Sequence, residues 1–248
     1  MTIFEHIKKQ HENIKSKPKE ERWRYFWDYY KWHMLAIVLV IAILIQGVVS
    51  IVNRKETVFS GILLNCMISI DDDEFLQGFY DHAGIDAKHQ QAAFYTDITL
   101  TDKNNKNDIT AFQRIMAGIA TKDTDFVVGQ KENFQLCAYN TSRMLMDLRE
   151  FLDAETLKTY ADRLYYVDGA VVEKLSVPVG ELQDTSIPIP DPTKPEAMKD
   201  PIPVGIDISD RKDFQTAYYF PDTVLYLGVI TNTTRPELTR QFIDYLFS

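Results

Sequence analysis

From Met34 to Val52 the chain runs nineteen residues without a charge, MLAIVLVIAILIQGVVSIV, in which only Gln46, Gly47 and Ser50 dilute the large apolar residues. A helix of that length is about 28 Å long, close to the hydrocarbon thickness of a bilayer. A soluble core helix as long would carry a polar stripe on its outer side, and none is present. The segment 34–52 is therefore expected to span a membrane.

Seven aromatic residues stand just before it: Trp23, Tyr25, Phe26, Trp27, Tyr29, Tyr30 and Trp32. Their rings can sit in lipid while their polar tips stay among headgroups. Trp27, Tyr29, Tyr30 and Trp32, nearest the span, are the expected interface contacts, with Lys31 and His33 snorkelling to the same layer. Eight Lys and Arg residues precede the span within 1–33, whereas only Arg54 and Lys55 follow it closely. That asymmetry keeps the N-terminus in the cytoplasm and puts the rest outside. The apolar run exceeds that of a cleaved signal peptide, and no A-x-A-like site follows before Asn53, so an uncleaved signal anchor is the better reading. The chain then divides into a cytoplasmic head (1–33), a transmembrane helix (34–52) and an extracytoplasmic domain (53–248).

Charge separates these parts. The head carries a net +3 and residues 53–248 a net −12. An acidic outer domain argues against nucleic acid, which would repel it. Cys66 and Cys137 are the only cysteines. Two thiols outside the cytoplasm can pair, but the apolar settings LLNCMI and FQLCAY suit unpaired cysteines acting as small hydrophobes.

The outer domain alternates strands and helices. Thr57 to Ile70 reads as a buried strand, followed by a helix from Asp71 through Tyr80 that Gly84 ends. A second strand covers Ala92 to Leu100. Phe112, Ile115, Met116 and Ile119 then share one helical face, with Asp108 as a plausible cap. FVVG, Phe126 to Gly129, has the short, wholly apolar character of a central parallel strand, and another helix begins near Glu132. Leu157, Tyr160, Ala161 and Leu164 are placed on one side of a further helix. Seven prolines between Val177 and Pro203 mark an extended excursion. Strands follow at Val204–Ile208 and Thr223–Thr231, and Thr234-Arg-Pro-Glu237 reads as a capping box for a final helix burying Leu238, Phe242 and Leu246. The pattern predicts an α/β layer on a parallel sheet.

The run DFVVGQKENFQLCAYNTSRMLMDLREFLDAETLKTYADRLYYVD resembles a segment of extracellular solute-binding proteins, in which a strand ends at a small residue and a helix and a D-L-x-x-[FYL]-L turn follow. ITAFQRIMAGIATKDTDFVV, PVGIDISD and LYLGVITNTTRPELTRQFIDYLF are similar to other parts of that family. FWDYYKWH with the span is similar to uncharacterised single-pass proteins of Gram-positive gut bacteria. The resemblance implies a membrane-anchored, periplasmic-binding-protein-like domain of type II-like form. Its second lobe would be reduced, built from little more than residues 165–222.

In open parallel sheets, ligands gather beyond the carboxyl ends of the strands. This selects Ser69 and Asp71 after the first strand, Thr96 and Asp97 near the end of the second, Gly129 and Gln130 after the third, and Asp207 and Ser209 from the later strand. The same residues also serve as ordinary caps and turns. The acidic run Asp71-Asp72-Asp73-Glu74 lacks the spacing of a calcium loop and fits a helix start, so no metal is assigned. No HExxH, paired CxxC, GxSxG or phosphate loop is present, and no catalytic residue or cofactor is assigned. Two functions remain: a non-catalytic receptor whose outer domain binds a small solute or a neighbouring membrane component, or a structural accessory subunit that has lost its cleft. In the second case a Tyr-rich surface near Tyr218, Tyr219 and Tyr226 would pack on a membrane-protein partner.

Overall fold

The computed structural model describes residues 18–69, 72–101, 106–139, 143–175, 187–222 and 224–248. Two compact units divide at Arg54 and Lys55.

Among the described residues the first unit contains one helix, α1 (Lys19–Val52), 34 residues long, or about 51 Å. Its window Lys31–Val49 has a mean hydropathy of 2.4 and is long and apolar enough to cross a membrane; none of it is buried. Trp23, Trp27 and Trp32 are exposed. The helix starts well before Met34, so residues 19–33 extend the same rod.

The second unit has, in chain order, β1 (Glu56–Leu63), β2 (Ile68–Ser69), α2 (Asp73–Ala83), β3 (Gln90–Tyr95), α3 (Lys106–Ala120), β4 (Phe126–Gln130), α4 (Lys131–Ala138), α5 (Leu148–Phe151), α6 (Ala154–Thr159), β5 (Leu164–Asp168), α7 (Gly169–Leu175), β6 (Pro201–Asp207), α8 (Lys212–Ala217), β7 (Tyr218–Tyr219), β8 (Leu225–Val229) and α9 (Pro236–Phe247). Six strands form one sheet in the order β3-β1-β4-β8-β6-β5, and β2 pairs with β7.

Helices cover both faces of the main sheet. Phe126 and Val128 of β4 join a core with Phe79 of α2 and Phe242 of α9. Val127, pointing the other way, joins Ile115 of α3 and Phe134 of α4. This period-two division explains why β4 is wholly apolar: both of its faces are buried. Gly61 of β1 has no side chain because the Phe126 ring occupies the space a Cβ would need. That ring packs on Phe242 in a tilted arrangement with centroids 4.7 Å apart. Gly84, at φ 68°, ends α2 and donates its N–H to the Tyr80 carbonyl.

Several expectations are corrected. The sheet is mixed: β3, β1 and β4 run parallel, but β8 is antiparallel to β4 and β6, and β5 to β6. The single strand 57–70 breaks at Leu64 and Asn65, where Asn65 has φ 57° and carries the chain into the small β2–β7 ribbon. The second strand ends at Tyr95 rather than Leu100. Leu164, assigned to a helix face, opens β5. Residues 165–222 build no second lobe among those described, because β5 and β6 extend the main sheet. Asp108 lies within α3 and is buried, accepting the Thr101 N–H at 2.8 Å. Thr234 does not cap α9. Arg235 takes the cap position without a side-chain bond, and its N–H goes to Thr233 Oγ1 at 3.1 Å.

Candidate functional site

At the carboxyl edge of β4, Gly129 pairs with Tyr226 and Gln130 with Leu225, while Asp207 of β6 pairs with Tyr226 from the other side. The sheet therefore gathers four of the eight expected ligand-binding residues, Gly129, Gln130, Asp207 and Ser209. Their polar atoms are engaged in local structure. Gln130 begins α4, and its Oε1 accepts from Asn133 Nδ2 at 3.3 Å. Asp207 Oδ1 accepts the Ser209 N–H at 2.8 Å, and Ser209 Oγ accepts the Leu225 N–H at 3.0 Å. Gly129 is no cradle, since a Cβ there would stand 3.2 Å from Leu64 Cδ1 and 3.3 Å from the Phe134 nitrogen.

The other four do not join them. Thr96 is half-buried beyond β3, and Asp97 is exposed in an ion pair with Arg114 at 2.8 Å. Ser69 pairs with Tyr218 in the β2–β7 ribbon, and Asp71 lies outside the described residues. The Tyr-rich surface is also corrected. Tyr218 and Tyr226 are buried, and of the three only Tyr219 is exposed. The reason is packing: Tyr218 lies in the aromatic core with Phe75 and Phe214, its hydroxyl 3.2 Å from Asp72 Oδ2.

Behind this edge lies a cluster of phenols. The Tyr165 ring packs on Tyr226 and Phe134 with centroids 4.8 and 4.9 Å away. Its buried hydroxyl has no hydrogen-bond partner among the described residues. Burial foremost, then the neighbouring Tyr139, Tyr226, Glu132 and Asp191, push this phenol well above its ordinary value. At the opposite edge, where β5 ends beside Pro201 at the start of β6, Asp168 accepts the N–H groups of Ala170, Lys199 and Asp200 at 3.0 to 3.1 Å. Burial works to raise its carboxyl pKa, but these three donors prevail and hold it low.

The amino end of β4 carries a different kind of chemistry. Asp125 is fully buried just before the strand. Its Oδ2 accepts the Ser60 N–H at 2.8 Å, and its Oδ1 accepts from Thr233 Oγ1 at 2.6 Å. Arg235 Nε lies 3.1 Å from Oδ1, an ion pair rather than an aligned hydrogen bond, and Arg235 Nη2 donates to the Lys122 carbonyl at 2.8 Å. Burial foremost raises the Asp125 carboxyl pKa, against the lowering effect of Thr233, Ser60 and Arg235. Beside this network opens a groove of about 750 Å³ whose rim includes Glu56, Thr57, Lys122, Asp123, Thr234 and Arg235. It combines two acids, two bases and two hydroxyls. Sequence reasoning missed it. The signal was thin, a carboxylate directly before a wholly apolar strand, and Thr233 lies 108 positions away.

Among the described residues no group of three or more His, Cys, Asp and Glu is arranged to hold a metal ion. Cys66 and Cys137 are buried and form no disulfide. Burial pushes the Cys137 thiol up to about 12, so little thiolate exists at neutral pH. No protein-family model matches the chain, and no curated protein or solved structure matches it.

Proposed function

We propose that this is a single-pass, membrane-anchored receptor-like protein, non-catalytic, with a cytoplasmic N-terminus and an extracytoplasmic α/β domain that binds a small polar solute. The observation that carries this reading is the groove at the amino end of β1 and β4. Its mixed charges, Lys122 and Arg235 with Glu56 and Asp123, suit a zwitterion or a polyhydroxylated solute better than a purely anionic or apolar one. The ion pair of buried Asp125 with half-buried Arg235 fixes one wall. A type II-like solute-binding lobe reduced to a single sheet is the fold relation we favour. Its support is the resemblance of LYLGVITNTTRPELTRQFIDYLF, which forms β8 and α9, to the later strand and final helix of that family. The anchor rests on the apolar window of α1, and its orientation on the excess of cations before the span.

The accessory-subunit reading keeps one point in its favour: Met67 and Tyr219, 65% and 49% exposed, adjoin on the β2–β7 ribbon. A thermal-shift screen of the full chain in detergent, with amino acids, short peptides and sugars, separates the two. A shift that is lost in Lys122→Gln and kept in Gln130→Ala supports the solute receptor. No shift with any solute, alongside stoichiometric recovery of a membrane partner that Tyr219→Ser releases, overturns it in favour of the accessory.

A further inference from the structure

Between Met34 and Val49, Gln46 is the one residue whose side chain carries strong hydrogen-bonding groups, and it stands exposed on α1. With 3.6 residues per turn, Leu35, Leu39, Ala42 and Val49 lie within about 60° of it, and Ile37, Ile41, Leu44 and Val48 face away. The positions 35, 39, 42, 46 and 49 alternate steps of four and three, the spacing that keeps a seam on one side of a helix paired with another. We infer that two copies of this chain pair in parallel through this seam of α1, with the Gln46 amides bonded to each other. The inference rests on the membrane-anchor part of the proposed function.

The argument for a second copy is chemical. An amide facing hydrocarbon loses its water hydrogen bonds and gains none. Glutamine carries both donors and an acceptor, so an identical amide satisfies it. Copies inserted with the same topology hold Gln46 at the same depth, which brings the two amides together without another protein. A small residue lies beside the contact: Ala42 precedes Gln46 by one turn on the same side, so the two backbones can approach closely there. Trp32 continues the seam toward the headgroup layer.

The test is disulfide cross-linking of the full chain in membranes of the expressing cell. Single cysteines are placed at Leu35, Leu39 or Ala42 on the seam and at Ile37, Ile41 or Leu44 on the far side, which also measures any background from Cys66 and Cys137. The expected result is a covalent dimer from the seam positions alone. In a dilution series in detergent, Gln46→Leu should weaken association about fivefold, and Gln46→Asn should retain most of it. Equal cross-linking from both sides, none from either, or an unaffected Gln46→Leu overturns the pairing. Alkaline carbonate extraction distinguishes the two failures. Protein released to the supernatant defeats the anchor and the pairing together, whereas protein retained in the pellet without seam-specific dimers defeats the pairing alone.

Discussion

The two ends of the main sheet handle polarity in opposite ways. At the carboxyl edge the polar bonds stay closer along the chain: Asp207 with Ser209 and Gln130 with Asn133 span two and three positions, and Ser209 with Leu225 spans sixteen. At the amino end a buried carboxylate is tied to groups far along the chain, Ser60, Thr233 and Arg235. Short-range bonds stabilise a local conformation and can reform in a partly unfolded chain. The long-range network exists only when β1, β4 and the approach to α9 are assembled, so it reports the whole fold. The groove lies beside the second kind of chemistry, not the first.

The sharpest way to break this comparison is to remove Asp125. Asp125→Ala strands Arg235 and the Ser60 and Thr233 donors, and should cost about 3 kcal/mol or more in urea unfolding of the full chain. A loss below 1 kcal/mol would make the amino end no more than another turn. Next in size, Asp168→Ala leaves three N–H groups without an acceptor and should cost about 2 kcal/mol. These two carboxylates also give opposite signs against pH. Asp168 is held below its usual value of 3.8, so its contribution is complete above that pH and disappears as pH falls through the folded value. Asp125 is raised above 3.8, so its contribution is present at low pH and is lost as pH rises through the folded value. Stability curves from pH 2 to 7 for Asp168→Asn should lose part of the acid limb, whereas Asp125→Asn should remove a decline in the opposite direction.

Smaller effects sharpen the carboxyl edge. Ser209→Ala removes the acceptor for the Leu225 N–H and should cost about 1 kcal/mol, measured by the same unfolding midpoint. Tyr165→Phe deletes a hydroxyl without a described protein partner, and should leave stability within about 0.5 kcal/mol of the parent or raise it. A loss beyond 1 kcal/mol would mean that this hydroxyl holds a buried water or ligand. That result would return the carboxyl edge to consideration as a binding site.

Much of the architecture is legible residue by residue. The uncharged run marks the apolar helix, FVVG marks a strand covered on both faces, and Gly84 marks the end of α2. The errors share one cause. Leu164 fits the helical spacing of Leu157, Tyr160 and Ala161, yet belongs to β5, because periodicity over four residues cannot separate a short strand from a helix end. Thr234 has the letters of a capping box, but Thr233 is drawn to Asp125, a partner no local pattern contains. Of the expected ligand residues, Gly129, Gln130, Asp207 and Ser209 converge because β4 and β6 both run against the β8 strand between them and so end at the same edge. Ser69 and Asp97 diverge because the break at Asn65 and the ion pair with Arg114 lead them elsewhere.

What the amino-acid order determined by itself is therefore what depends on neighbours within a few turns: the long apolar rod of α1, the alternation of strands and helices, and the glycine that stops α2. Only the tertiary structure decided that β8 runs antiparallel between β4 and β6, that β5 and β6 widen one sheet instead of founding a second lobe, and that Asp125 meets Arg235. Strand direction and buried ion pairs depend on contacts between distant segments, and a strand's side chains look the same from either neighbour.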